Sequence, residues 1–318
     1  MNQMKSPGGR GICILTIVKY ALAAIIIFSA SNCSKSTSPS SSSTGPGGSG
    51  TNPLLSEEVI VGKNTAGATV DSVVIQYQYD ANKNITQVQQ SMNAEISGII
   101  ETSMLTYNFT YTGSLLSSMT GSVVQSLQNG AQTYNSTTQV NAVFVSSGGH
   151  ITSYVQAAST TGSGPFPVTP ETGNDSALIQ YDPSGNISGF TLYQIGSGNA
   201  GYQLISQQNF TYSNGNMTQL VDVESVAGVP VNTVTSAYQF NSDISASPYY
   251  VGPGIPIVNV NDITSINQTT TGTNPQTLTT TYSSTYNSAK QPASSSVTLT
   301  PTPTDMNAIA TEEISYTY

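Results

Sequence analysis

Charge is what this sequence has least of. Of its 318 residues only 7% are charged, with 7 Lys+Arg against 16 Asp+Glu, where an ordinary soluble domain carries about a quarter. It has one His, two Cys and no Trp. So few cations exclude nucleic-acid binding, which needs a basic footprint to displace counterions from phosphates. A single imidazole leaves a His-based metal site or triad without its usual second member. Good helix formers such as Glu, Lys and Arg are scarce, which argues against a helical protein. Long apolar runs are missing too, since Lys19 splits Ile12–Phe28 and leaves Tyr20–Phe28, too short to span a bilayer.

Uncharged Thr, Ser, Asn, Gln and Gly take the place of the charges. With 37% hydrophobic residues and a mean hydropathy of -0.11 the chain is too apolar for wholesale disorder. This composition suits an exported, β-rich protein with a polar, weakly charged surface.

Residues 1–32 have the order of a secretory signal: Lys5 and Arg10, an apolar run, then small residues before Cys33. Ser29-Ala30-Ser31-Asn32-Cys33 resembles the lipobox of bacterial lipoproteins. That resemblance implies cleavage before Cys33 and acylation of its thiol. Cys13 would leave with the signal, so no intramolecular disulfide could form and acylation would occupy the remaining thiol. The mature chain would keep Lys35, Lys63, Lys83 and Lys290 as its four cations against 16 carboxylates, a net charge of -12. Residues 33–53 read as the lipidated Cys and a Ser/Gly/Pro tether, with no core-forming residue before Leu54. Ser34, where an Asp would resemble an inner-membrane retention signal, favours sorting to the outer membrane, with surface and periplasmic orientation both open.

Residues 54–318 repeat one phrase: alternating aromatics, a turn of Asp, Asn, Ser and Gly, then an aliphatic residue and another apolar one three positions on. The clearest copies are Tyr77–Val88, Ile179–Phe190 and Phe210–Leu220. The chain stops on Ile314-Ser-Tyr316-Thr-Tyr318, the first half of one more copy. Corresponding aromatics are 32 residues apart from Tyr79 to Tyr111 and 31 from Tyr181 to Tyr212, the signature of a repeat architecture. Ile75, Tyr77 and Tyr79 share a parity, so on a strand they share a face. Each unit therefore reads as a β-hairpin. The expected fold is all-β, an antiparallel meander of tandem hairpins forming a large curled sheet or an open barrel or shell, because so many strands cannot stay flat. With 18 Tyr and 7 Phe as its largest side chains, the core should be thin, with Tyr rings leaning toward edges.

Tyr181-Asp182-Pro183-Ser184-Gly185-Asn186-Ile187 resembles the YD repeat of RHS-type bacterial surface proteins, whose tandem hairpins coil into a β-shell. Signal, tether and degenerate repeats together are similar to envelope lipoproteins of uncharacterised function. Neither resemblance supplies an active site.

His150, in Gly148-Gly149-His150, reads as a turn residue. Asp80 and Asp182 read as turn caps. Asp222 with Glu224, Glu57 with Glu58, and Glu312 with Glu313 are the close carboxylate pairs, read as solvated sheet surface rather than a glycosidase dyad. Asn259, Asn261 and Asp262 lack the spacing of a dedicated Ca²⁺ loop. No cofactor or metal is expected, and no catalytic residue is assigned. Segments 160–176 and 247–262 break the rhythm, and Tyr249 and Tyr250 in the second are the candidate ligand-binding residues, suited to a sugar face or an extended peptide. The sequence thus points to a lipid-anchored, non-enzymatic binding or structural module with the membrane, and a glycan or envelope protein, as partners. The rival reading is a surface enzyme that degrades glycan or peptide with carboxylates gathered from several strands.

Overall fold

The computed structural model describes residues 54–96, 98–164, 171–195, 201–244, 249–251, 253, 255–257, 259–273, 275–301 and 309–318. Residues 1–53, where the sequence suggests a signal, a lipidated Cys33 and a tether, lie outside them. The first half of the described chain forms β1 (Glu57–Lys63), β2 (Thr69–Tyr79), β3 (Ile85–Ile96), β4 (Ile99–Thr112), β5 (Leu115–Asn129), β6 (Gln132–Ser147), β7 (His150–Ser163), β8 (Glu171–Tyr181) and β9 (Ile187–Ile195). The second forms β10 (Tyr202–Ser213), β11 (Asn216–Val226), β12 (Val229–Ile244), β13 (Tyr249–Val251), β14 (Ile255–Ile257), β15 (Asn261–Gly272), β16 (Gln276–Tyr286), β17 (Pro292–Thr300) and β18 (Thr311–Thr317).

Sixteen of these strands make one antiparallel meander that closes on itself, and β13 and β14 form a separate two-stranded hairpin. The all-β meander is as expected, but the barrel is closed where a curled sheet or open shell was anticipated. Closure comes from β1, which pairs with β18 from Glu57 opposite Thr317 to Lys63 opposite Thr311. Strand β18 carries the half-phrase at the end of the chain, and β1 is its missing second half. Both edges that would otherwise stay unpaired are thereby used up.

Local sequence explains the turns. Asp80 Oδ1 accepts from the backbone N–H groups of Asn82 and Asn84, and Oδ2 from Asn84 Nδ2, at 2.8–2.9 Å. Asp182 repeats all three bonds with Ser184 and Asn186. Asn287 substitutes for Asp in a third copy, its Oδ1 accepting from Ala289 and Gln291. Each turn needs one left-handed residue, supplied by Lys83, Gly185 and Lys290. Asn214-Gly215 has positive φ at both residues, the two-residue turn whose twist suits a hairpin.

The tyrosines before or beside these turns tie one hairpin to the next. Tyr111 donates to Ile85 O at 3.0 Å, Tyr181 to Ile151 O at 2.9 Å and Tyr318 to Pro292 O at 2.9 Å. Each accepting residue is the first or second of the strand that follows a turn. Tyr79 makes the same bond to Leu55 O at 2.8 Å, which puts Leu55, ahead of β1, in the role of Ile85. A phenol that buries its ring and passes its hydroxyl to a carbonyl satisfies both halves of an amphipathic side chain.

Alternation sets the two faces of the wall. In β6, Thr138, Val140, Ala142 and Phe144 are buried while Gln139, Asn141, Val143 and Val145 are exposed. Buried apolar residues concentrate at one end, where the chain enters at Leu55, leaves at Tyr318 and makes the three matching turns; this is the near end. One cluster gathers Leu116, Met119, Phe144, Tyr154, Ile187, Phe190, Phe210 and Met217, and a second gathers Leu55, Ile75, Tyr77, Ile85 and Val88. Sixteen strands at the usual spacing and tilt enclose a circular section about 30 Å across, too wide for one layer of side chains to fill. The hairpin β13–β14 helps close the difference, because Ile255 and Ile257 are 2% and 3% exposed inside the first cluster.

Candidate functional site: the polar half of the barrel interior

Toward the far end, where β1 turns into β2, β3 into β4 and β11 into β12, the inward positions change character. On β4 the inward series runs Phe109, Tyr107, Leu105, Ser103, Glu101, and on β8 it runs Tyr181, Ile179, Ala177, Asp175. On β11 it runs Leu220, Asp222, Glu224. Each strand thus carries aromatic or aliphatic residues at the near end and a carboxylate at the far end. Polarity is graded along the barrel axis.

Most of these carboxylates are held by neutral donors on the neighbouring strand. Gln125 Nε2 donates to Glu101 at 2.6 Å, and Gln194 Nε2 to Asp175 at 3.1 Å. Ser206 and Gln208 donate one bond each to the two oxygens of Asp222, at 2.7 and 2.9 Å, and Asn232 donates to Glu224 at 2.9 Å. Burial nevertheless pushes Asp175 and Asp222 above the usual carboxylate range, against the lowering effect of those bonds. Asp222 is therefore a partly buried inward group and not the solvated surface acid expected. Glu224 does share its face, as the two-residue spacing requires.

The other close pairs divide between the faces. Glu57 and Glu58 are neighbours on β1, so they point apart: Glu57 accepts from Gln76 on the outside, while Glu58 is 0% exposed on the inside. Glu313 faces out and meets Lys63 at 2.7 Å, while Glu312 faces in beside Gly62. Burial raises Glu312, and nearby Asp71 raises it further. The described cations do not answer this interior acid: Lys63 is outside, and Lys83 and Lys290 sit in turns.

The remaining sequence candidates separate by place. His150 opens β7 directly after two left-handed glycines, its ring 4.4 Å from that of Tyr181, as suits a turn residue. Asn259, Asn261 and Asp262 do not converge. Asn259 Oδ1 accepts from Met217 N, Asn261 Oδ1 from Asn216 Nδ2, and Asp262 Oδ2 from Tyr286, so they fasten the return from β14 onto the near end. Among the described residues no group of three His, Cys, Asp or Glu side chains is placed to hold a metal ion. Tyr249 and Tyr250 fall on β13, paired with Ile257 and Pro256, and their side chains lie outside what the structure describes. What the sequence did not reveal is the inward ring of acids. Its only signal was the parity of each carboxylate relative to the apolar residues of its own strand.

No protein-family model matches the sequence, and no curated protein does. Among solved structures the chain is similar to a porin-like protein from Bacteroides uniformis ATCC 8492, with a TM-score of 0.47 and 13% identity over 83% of this chain and 97% of that one. It is similar also to a porin-like protein from Bacteroides vulgatus ATCC 8482, with a TM-score of 0.47 and 11% identity over 83% and 98%.

Proposed function

We propose that this is a non-enzymatic binding module of the bacterial envelope, lipid-anchored to the outer membrane through Cys33, with its barrel standing in water beside the bilayer. The observation that carries the reading is the polarity of the wall. Outward positions are mostly hydroxyl and amide side chains: Thr277, Thr281, Ser283 and Thr285 on β16, Asn267, Thr269 and Thr271 on β15, and Gln89, Ser91 and Asn93 on β3 are all exposed. A barrel that crosses lipid presents the reverse, an apolar outer band about 25 Å tall flanked by aromatic girdles around a polar lumen. Here the aromatic residues are largely inside and the hydroxyls outside.

The same reading orients the molecule. The tether meets the barrel at Leu55, on the apolar near end, so the acid- and amide-lined end points away from the anchor. Carboxylates already fixed by Gln, Asn and Ser suit a ligand that offers many hydrogen-bond donors, such as a glycan or a basic segment of an envelope protein.

The test is membrane fractionation with labelled palmitate. The wild-type protein should incorporate label and sediment with outer membranes, and Cys33→Ser should take up none and move to the soluble fraction. A Cys33→Ser protein that stays in membranes through an alkaline carbonate wash would overturn the reading, because the wall itself would then be in lipid.

A further inference from the structure

Fifteen of the sixteen strand contacts in the barrel join strands that follow one another along the wall, and the contact between β18 and β1 alone joins the two ends of the chain. Strand β1 is short, seven residues, and is held on both sides by backbone pairing, supplemented by bonds from Gln76 and Tyr77 of β2 to Glu57 and Glu58 and by the Lys63–Glu313 pair with β18. Its inward face carries an unusual load. Gly62 lies opposite Asp71 on one side and Glu312 on the other, so two carboxylates flank a residue without a side chain. Asp71 Oδ1 accepts from Gly62 N at 2.8 Å, and a Cβ on Gly62 would overlap it.

Toward the near end, Glu58 is 0% exposed. Its Oε2 receives one long bond from Tyr77, 3.3 Å, and its Oε1 has no partner. Among the described residues, the groups around it include no counter-charge. They are Tyr77 on β2, Tyr316 and Glu312 on β18, and beyond them Asp262 on β15 and Tyr282 on β16. The cation on β1 itself, Lys63, faces outward to Glu313. A carboxylate shut away from water with a single long hydrogen bond and no counter-charge is costly, so Glu58 is accommodated here as the neutral acid.

We propose that the β18–β1–β2 seam is a pH-operated latch, closed while Glu58 is protonated and released when it ionises, so that β1 peels from the wall and the barrel opens along its side. Burial pushes Glu58 up to about 8, with Glu312 raising it further against the lowering bond from Tyr77. In the released state the group is solvated and returns toward its ordinary value of 4.5. The closed seam therefore holds the extra proton between those values, and closure weakens as pH rises through the window. The latch rests on the seam alone and does not depend on the lipid anchor.

Trypsin reports on it directly, because Lys63 lies in β1 and Lys35 in the tether serves as an internal reference. Cleavage after Lys63 relative to Lys35 should rise between pH 6 and 8 in the intact protein, by up to about tenfold per pH unit, the slope of one proton, and level off above that. Glu58→Gln should flatten that dependence. Val59→Cys with Ser315→Cys, an outward cross-strand pair on β1 and β18, should abolish the rise when oxidised and restore it when reduced. A flat ratio in the wild type, or a rise unchanged by the cross-link, would overturn the latch; if Glu58→Gln fails to fold, the cross-link decides by itself.

Discussion

Gly121 lies on β5 directly opposite Tyr107 on β4, facing inward, and a Cβ there would overlap the Tyr107 ring. The ring rests on the glycine, packs edge-on to Phe109 at a centroid distance of 6.4 Å, and leans on the main apolar cluster. Burial raises its phenol to about 12. Gly121→Ala must drive the ring off its seat. Full truncation of a buried aromatic costs about 3–5 kcal/mol, and a displaced, partly exposed ring should lose roughly half of that, about 2 kcal/mol. In a Tyr107→Ala background the ring is gone and the Thr106 carbonyl oxygen alone stays close, 3.0 Å from the added Cβ, which a strand shift of a few tenths of an ångström relieves; the backbone of Gly121 has no left-handed φ that an alanine would resist. There Gly121→Ala should stabilise, by about 0.5–1 kcal/mol, because alanine restricts the unfolded chain. The sign reverses between backgrounds, a coupling near 3 kcal/mol. Guanidinium denaturation followed by far-UV circular dichroism measures it, with outward Thr120→Ala as a control expected within about 0.5 kcal/mol. Gly121→Ala that is neutral in the wild type, or of one sign in both backgrounds, would refute the reasoning.

Other consequences can be checked the same way. Ile257→Ala should cost about 2–4 kcal/mol, since Ile257 is 3% exposed inside the cluster that the β13–β14 hairpin helps to fill; a loss below 1 kcal/mol would mean that the hairpin only rests on the barrel end. Tyr181→Phe removes the bond to Ile151 O and should lower stability by about 1 kcal/mol, with an unchanged denaturation midpoint counting against the phenol ties between hairpins. Bonds from Asn186 hold Asp182 below the usual carboxylate range. Its contribution to stability is present above the unfolded value near 3.8 and fades as pH falls through the lower folded value. Asp182→Asn should keep the turn, as Asn287 already does in its own copy, while making the acid limb of a pH titration of the melting temperature shallower; an identical limb in the two proteins would count against the cap.

Much of the architecture was legible in the residues because its causes are local. A period of two in Ile75, Tyr77 and Tyr79 places them on one face, and Asp182 with Gly185 and Asn186 needs only its own four-residue neighbourhood to make a turn. Hairpins in series follow from such signals, since each strand finds its partner across a short connection. The close carboxylate pairs were legible only halfway. Spacing puts Asp222 and Glu224 on one face and sets Glu57 apart from Glu58, but it does not say which face is inside.

What the sequence by itself determined was the all-β meander, its turn chemistry and the parity of every strand. Only the tertiary structure decided that the meander closes, that β1 completes the half-phrase begun by β18, and that, among the described residues, eight inward carboxylates, Glu58, Asp71, Glu101, Asp175, Asp222, Glu224, Asp262 and Glu312, share one interior. Pairing β1 with β18 joins residues some 250 positions apart. No local propensity encodes a contact at that separation, because it exists only once all the intervening strands have accumulated enough twist and tilt to bring the two edges together.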